Sequence, residues 1–90
     1  MSPIAKMWRD DRAEDELMMI TLYDRPLDHP EGCVLRPHYT SAGRGVRAHS
    51  QALYMNDLDE AVEFMQQEFS HLYPLPRQEG DEPQIVGTWI

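Results

Sequence analysis

The sequence predicts an α+β domain of order β-β-β-α-β, with one helix packed on a four-stranded, mostly antiparallel sheet. Three observations carry this. Short β-rich segments alternate with turns built from proline, glycine and aspartate. A single long stretch, Asp57 to Leu72, repeats its apolar residues with a 3.6-residue period. A β-rich segment, Gln84 to Ile90, closes the chain. At 90 residues there is room for one compact core and not for two.

Residues 1–16 read as an N-terminal arm, and residues 17–90 as the domain. Ser2-Pro3 is a helix-start signal, with proline suited to the first helical position. Ile4, Met7 and Trp8 then fall on one face, over two turns that are too short to be stable alone. Such an arm either docks on the domain or engages something else. Glu14, Asp15 and Glu16 disfavour a helix C-terminus, so the helix should stop near Asp11.

The first strand is Leu17 to Tyr23. Two prolines and a glycine make the following segment, through Gly32, a loop. Cys33 to Thr40 is the second strand, where Pro37 points to an edge position or a bulge. Ser41 to Val46 reads as a flexible turn and Ser50 to Met55 as the third strand. In the helix, Leu58, Ala61, Val62, Met65, Phe69 and Leu72 form the buried stripe, with Asn56 or Asp57 as N-cap. Tyr73-Pro74 ends it. Residues 74–83 are a second proline-bounded loop. A one-helix layer covers only one sheet face, which leaves Tyr39, Tyr54 or Trp89 for the other. A homodimer or a protein partner on that face would cover them.

Charge restricts the function further. Eight basic residues against sixteen acidic ones give −8. The acids cluster at Asp10–Glu16, Asp57–Glu68 and Glu79–Glu82, and the middle from Arg25 to Arg47 is mildly basic. A net acidic field repels nucleic acid and attracts basic partners, so no direct nucleic-acid contact is expected. No run of 18 apolar residues spans a membrane. A single cysteine excludes an internal disulfide framework. The chain reads as cytoplasmic, with no signal peptide at its start.

No catalytic constellation stands out, and no cofactor or metal is expected. His29, Cys33 and His38 match no two-pair zinc pattern, and the odd spacing of Cys33 and His38 puts them on opposite strand faces. Cys33 would need a cationic neighbour to act as a nucleophile. Arg36, Arg44 and Arg47, the last two around Gly43 and Gly45, could hold an anion, though the pattern of a phosphate-binding loop is missing. Asp57, Asp59, Glu60 and Glu63 lack the spacing of a calcium loop. They read as a solvated acidic helix start. With Tyr54 and Trp89 they are the candidate surface for a protein partner, including one of basic charge.

Two stretches also resemble a family. Tyr23-Asp24-Arg25-Pro26-Leu27-Asp28-His29-Pro30, then Val34-Leu35-Arg36, is followed later by Leu75-Pro76-Arg77 and Asp81-Glu82-Pro83-Gln84-Ile85-Val86-Gly87-Thr88-Trp89-Ile90. Together they resemble a family of small uncharacterised bacterial proteins met near mobile or phage-like genes, with YDxPxDxP and DxPxIVxTWI motifs. The resemblance covers about residues 18–90 and implies no activity and no catalytic residue. Three roles follow: an acidic interaction module, with inhibition or nucleic-acid mimicry as special forms; an anion-binding module or small enzyme using Arg36, Arg44 and Arg47; and a structural homodimer. The two proline-bounded loops should meet at one end of the sheet if the first and last strands are antiparallel neighbours, with Arg25 or Arg77 pairing acids across them.

Overall fold

A computed structural model describes residues 2–90. The fold is α+β, and its elements follow the order α1 (Pro3–Asp10), β1 (Leu17–Asp24), β2 (Cys33–Ser41), β3 (Gly45–Ala48), β4 (Leu53–Met55), α2 (Leu58–Glu68), β5 (Pro74–Pro76) and β6 (Ile85–Trp89). The sheet runs β3-β2-β1-β6-β5, with β4 also paired to β2. All five pairings are antiparallel. Six strands thus replace the four expected, and the arm helix, which ends at Asp10 close to the expected stop, packs on the sheet beside α2 as a second helix. No helix among the described residues is long and apolar enough to cross a membrane.

Both added strands come from segments that local chemistry marks as turns. The glycine-rich stretch after β2 turns sharply, with Gly45 at φ 74°, and returns as β3 beside β2. β5 forms although two of its three residues are proline, and its pairing parity explains how. Tyr73 and Ile90 exchange both backbone hydrogen bonds, so Leu75 faces β6 in the same way and the nitrogens of Pro74 and Pro76 point outward. No ladder donor is lost, and the open edge of the sheet is left without two donors.

Pro37 is neither on an edge nor at a bulge. Its ladder with β1 runs unbroken from Leu17↔Thr40 to Asp24↔Cys33. Its missing N–H falls on the opposite side, where His49 N–H reaches the Pro37 carbonyl at 2.9 Å but gets no bond in return. The β3–β4 edge breaks there. The unpaired His49 carbonyl accepts instead from Arg36 Nη1 at 3.0 Å.

Both helices pack on the same face. Ala5 and Trp8 of α1, Ala61 and Met65 of α2 and the following Phe69 join Met18, Ile20, Leu22, Cys33, Leu35 and Tyr39 in one core. The segment that the sequence sets apart as an arm therefore supplies the centre of that core. Trp8 stacks on Phe69 and meets Phe64 edge-on, each at 6.1 Å. Its indole N–H donates to the Gln51 carbonyl at 2.9 Å, and its carbonyl accepts from the Tyr39 hydroxyl at 2.5 Å. α1 is tied to the end of α2 as well: Ser2 N–H donates to the Glu68 carboxylate at 2.7 Å, and Arg9 donates to the Glu68 carbonyl.

α2 starts where charge and capping direct. Asp57 is the N-cap, accepting from Glu60 N–H at 2.9 Å. The helix ends at Glu68 rather than Leu72, because Phe69 leaves the helical conformation (φ −135°, ψ 41°) and turns its ring under Trp8. Tyr39 and Trp89 are not on the second sheet face. Tyr39 is buried under the helices, and Trp89 lies opposite Ile20, packed against the core.

The second face carries no helix. Register places Leu17, Met19, Thr21 and Tyr23 of β1 there, with Val34, Arg36, His38 and Thr40 of β2. At one end it is overhung by the two proline-bounded loops. Gly32 fixes the course of the first: a Cβ there would lie 2.1 Å from the Met55 carbonyl oxygen and 2.6 Å from His29 Nε2.

Candidate functional site

Four of the five acids from Asp10 to Glu16 are paired within the molecule. Asp10 pairs with Lys6 at 2.5 Å, Asp11 with His49 Nε2 at 2.6 Å, and Asp15 with Arg44. Glu16 takes Arg47 in a two-pronged contact at 2.6 and 2.8 Å, and accepts Ala13 N–H at 2.9 Å. The Arg47 hydrogen bond, then the backbone donor, hold the Glu16 carboxyl down at about 2. Arg47 also lies over the Tyr39 ring, 4.4 Å from its centroid, and burial pushes that phenol up to about 12. His49 Nδ1 accepts Gln51 N–H at 2.9 Å, which leaves Nε2 to donate to Asp11. This network clamps the α1–β1 connection onto the β2–β3 hairpin.

The arginines proposed for an anion are therefore engaged and divided. Arg44 and Arg47 hold Asp15 and Glu16. Arg47 pairs in register with Tyr39 on the helix-covered side, whereas Arg36 stands on the helix-free side. Three guanidinium groups split across two faces do not converge on one ligand.

The acidic start of α2 is different. Asp57 is committed as the cap, but Asp59, Glu60 and Glu63 are exposed, and none of the ion pairs among the described residues includes them. Glu63 makes only a local bond, accepting from Gln67 at 3.2 Å. A cleft of about 300 Å³ opens beside this start, where Asp24, Glu31, Asp57 and Asp59 outnumber Arg25. Cys33 donates to the Asp57 carbonyl at 3.1 Å. Burial, followed by Asp24, Asp57 and Glu60, pushes its thiol up, opposite to what a nucleophile needs. Among the described residues no cluster of His, Cys, Asp and Glu could hold a metal ion.

Tyr54 and Trp89 lie on opposite sides of the sheet. Tyr54 pairs with Val34 on the helix-free face, meets His29 edge-on at 5.3 Å and donates to Asp28 at 3.4 Å. Trp89 borders a groove beside α2 with Val62 and Phe69.

The two proline-bounded loops do meet, because β1 and β6 are antiparallel neighbours. Asp24 N–H donates to the Gln84 carbonyl at 2.7 Å. The arginines expected to bridge them do not: Arg77 donates to the Asp81 carbonyl of its own loop at 3.0 Å. Between the loops is a cleft of about 270 Å³, walled by Tyr23, Pro26, Leu27 and Val34, with Asp28, Arg36, Glu82 and Gln84 around them. Sequence reasoning missed Tyr23, Val34 and Glu82 as its lining. The available signal was the pairing of the first and last strands, which brings residues 23 and 82 together from far apart in the chain. No family model, curated protein or solved structure matches the chain.

Proposed function

We propose that this protein is a small acidic interaction module that docks a protein partner through the exposed carboxylates of the α2 start, against a basic surface. The single observation that carries this is the division among the acids. Asp10 to Glu16 are largely consumed by Lys6, Arg44, Arg47 and His49, while Asp59, Glu60 and Glu63 remain exposed, beside a cleft that is itself acidic. Exposed carboxylates of one sign steer a cationic partner and set its association rate. The mobile-element setting implied by the YDxPxDxP and DxPxIVxTWI motifs suits an inhibitor or a mimic of nucleic acid, with α2 rather than Asp10–Glu16 standing in for phosphates.

The test is affinity capture from the native host lysate with wild type and with the triple variant D59N/E60Q/E63Q, which leaves the Asp57 cap in place. The proposal expects a partner held by wild type at low salt, weakened at moderate salt and lost with the triple variant. A partner retained equally by the variant rejects it.

The placement of exposed apolar groups favours a homodimer as a second reading. Of the eight large apolar side chains exposed among the described residues, Leu17, Val46, Tyr54, Tyr73 and Ile90 fall on the helix-free face by register, and Leu27 overhangs it. Sedimentation equilibrium decides it: a dimer supports this reading, and a monomer at high concentration removes it.

A further inference from the structure

We infer that the cleft between the two proline-bounded loops binds an organic cation, an ammonium or guanidinium group on a short apolar stem, with Glu82 taking the charge and Tyr23, Val34 and Leu27 taking the stem. This site is separate from the α2 carboxylates and does not rest on their role.

Size sets the first limit. A cleft of about 270 Å³ falls below the roughly 300–1,000 Å³ of pockets for drug-sized ligands and cofactors. It suits an occupant no larger than one amino-acid side chain.

Charge sets the second. Arg36 looks like an anion-binding group, but it is outnumbered by Asp28 and Glu82 in the lining and is partly engaged. Nη1 satisfies the His49 carbonyl that Pro37 cannot, and Nη2 stands 4.0 Å from Asp28. Turning Arg36 toward an anion would leave that carbonyl without its donor, at a real cost for a half-buried group. Asp28 is matched in turn by Arg36 and by the Tyr54 hydroxyl at 3.4 Å. The charge left over is that of Glu82, whose carboxylate has no hydrogen-bond or ion-pair partner among the described residues.

The walls set the third. Tyr23 is half-buried in the cleft, and its phenol is pushed up by burial first and by Glu82 second, so the ring stays neutral and lies within the field of that carboxylate. A neutral ring face attracts a cation. Val34 closes the floor at 2 % exposure, and Leu27 stands at the lip with 94 % of its surface open. A stem lying against Leu27 would remove apolar surface from water. An anion would meet the carboxylates of Glu82 and Asp28 against the single charge of Arg36, and a neutral apolar molecule would desolvate Glu82 without compensation.

The test is a titration of the full ¹⁵N-labelled chain, followed by amide chemical shifts, with n-butylammonium, agmatine, N-acetyl-lysine methylamide and N-acetyl-arginine methylamide. Butyrate, with a similar stem and the opposite charge, is the control. Saturable shifts at Tyr23, Val34 and Gln84 are expected with a Kd on the order of 1 mM. In Glu82→Gln the affinity should fall about two- to fivefold, the range of an exposed charge pair. Glu82 is exposed, so this variant keeps its fold. Binding of the free amines identifies a small metabolite as a sufficient occupant. Binding of the capped amino acids alone identifies a side chain presented by a protein. Butyrate binding as tightly as butylammonium, unchanged affinity in Glu82→Gln, or no saturable shift with any cation by about 100 mM, a hundredfold above the expected Kd, would overturn the inference.

Discussion

Replacing Trp8 with alanine tests whether α1 belongs to the core or merely rests on it. Trp8 is fully buried, stacks on Phe69 and meets Phe64 edge-on and donates to the Gln51 carbonyl. A large aromatic side chain removes about 150–250 Å² from water, worth roughly 4–6 kcal/mol at about 25 cal/mol per Å². Loss of the indole N–H adds about 1 kcal/mol for the stranded carbonyl. Against this, α1 is only two turns long and can shift to fill part of the hole. The expected net loss is about 4 kcal/mol, inside the range measured for such substitutions. That is a large share of a total on the order of 5–13 kcal/mol for a domain of this size. The assay is urea unfolding followed by far-UV circular dichroism, with melting as a second readout. The melting point should fall by about 15–30 °C. Trp8→Phe keeps the ring contacts and loses the hydrogen bond, so it should lose about 2 kcal/mol. A Trp8→Ala loss below about 1 kcal/mol would refute the reasoning, because an undocked arm would give that value.

The Glu16–Arg47 clamp makes a prediction in pH. The Glu16 pKa falls from 4.5 to about 2 on folding, so its stabilisation is fully present above 4.5 and is lost as pH falls through 2. Glu16→Gln should therefore be less stable than wild type at neutral pH, and the gap in melting temperature should close between those two values. Asp57→Ala removes the α2 cap and should lower stability by about 1 kcal/mol in urea unfolding, while Asp57→Asn should be close to wild type. Gly32→Ala places a methyl group against the Met55 carbonyl and should cost about 2–3 kcal/mol, whereas Gly43→Ala, with nothing within 4 Å, should stay within about 0.5 kcal/mol. Replacing Pro74 and Pro76 with threonine restores two outward donors to the β5 edge, and light scattering should then show more self-association than wild type at the same concentration.

The core of the domain was legible because its signals are local and periodic. The strand segments β1 and β2, the 3.6-residue stripe of α2, the Asp57 cap and the short apolar face around Trp8 all appear in the sequence, and Ala61, Met65 and Phe69 are buried as the stripe assigns, although Val62 of the same stripe is exposed. What local reading lost was pairing. β3 and β5 are short, and one carries glycine while the other carries two prolines. Only a neighbour already in place, β2 for one and β6 for the other, supplies the hydrogen bonds that make them strands. Pro37 misled for the same reason: a proline shows which donor is missing and not which side of the strand needs it.

The candidate sites divide along the same line. The sequence by itself determined the class of fold, the net charge and the acidic start of α2, because composition, periodicity and capping act within a few residues, whereas the meeting of the two proline-bounded loops waited on the pairing of β1 with β6. Only the tertiary structure decided which charges remain available. Asp11, Asp15 and Glu16 meet His49, Arg44 and Arg47 across about thirty residues or more of chain, and Arg36 is drawn to a carbonyl left unpaired by Pro37. Electrostatic and hydrogen-bond partners are chosen by distance in space, which falls steeply between neighbours on adjacent strands and has no counterpart in the linear order of residues.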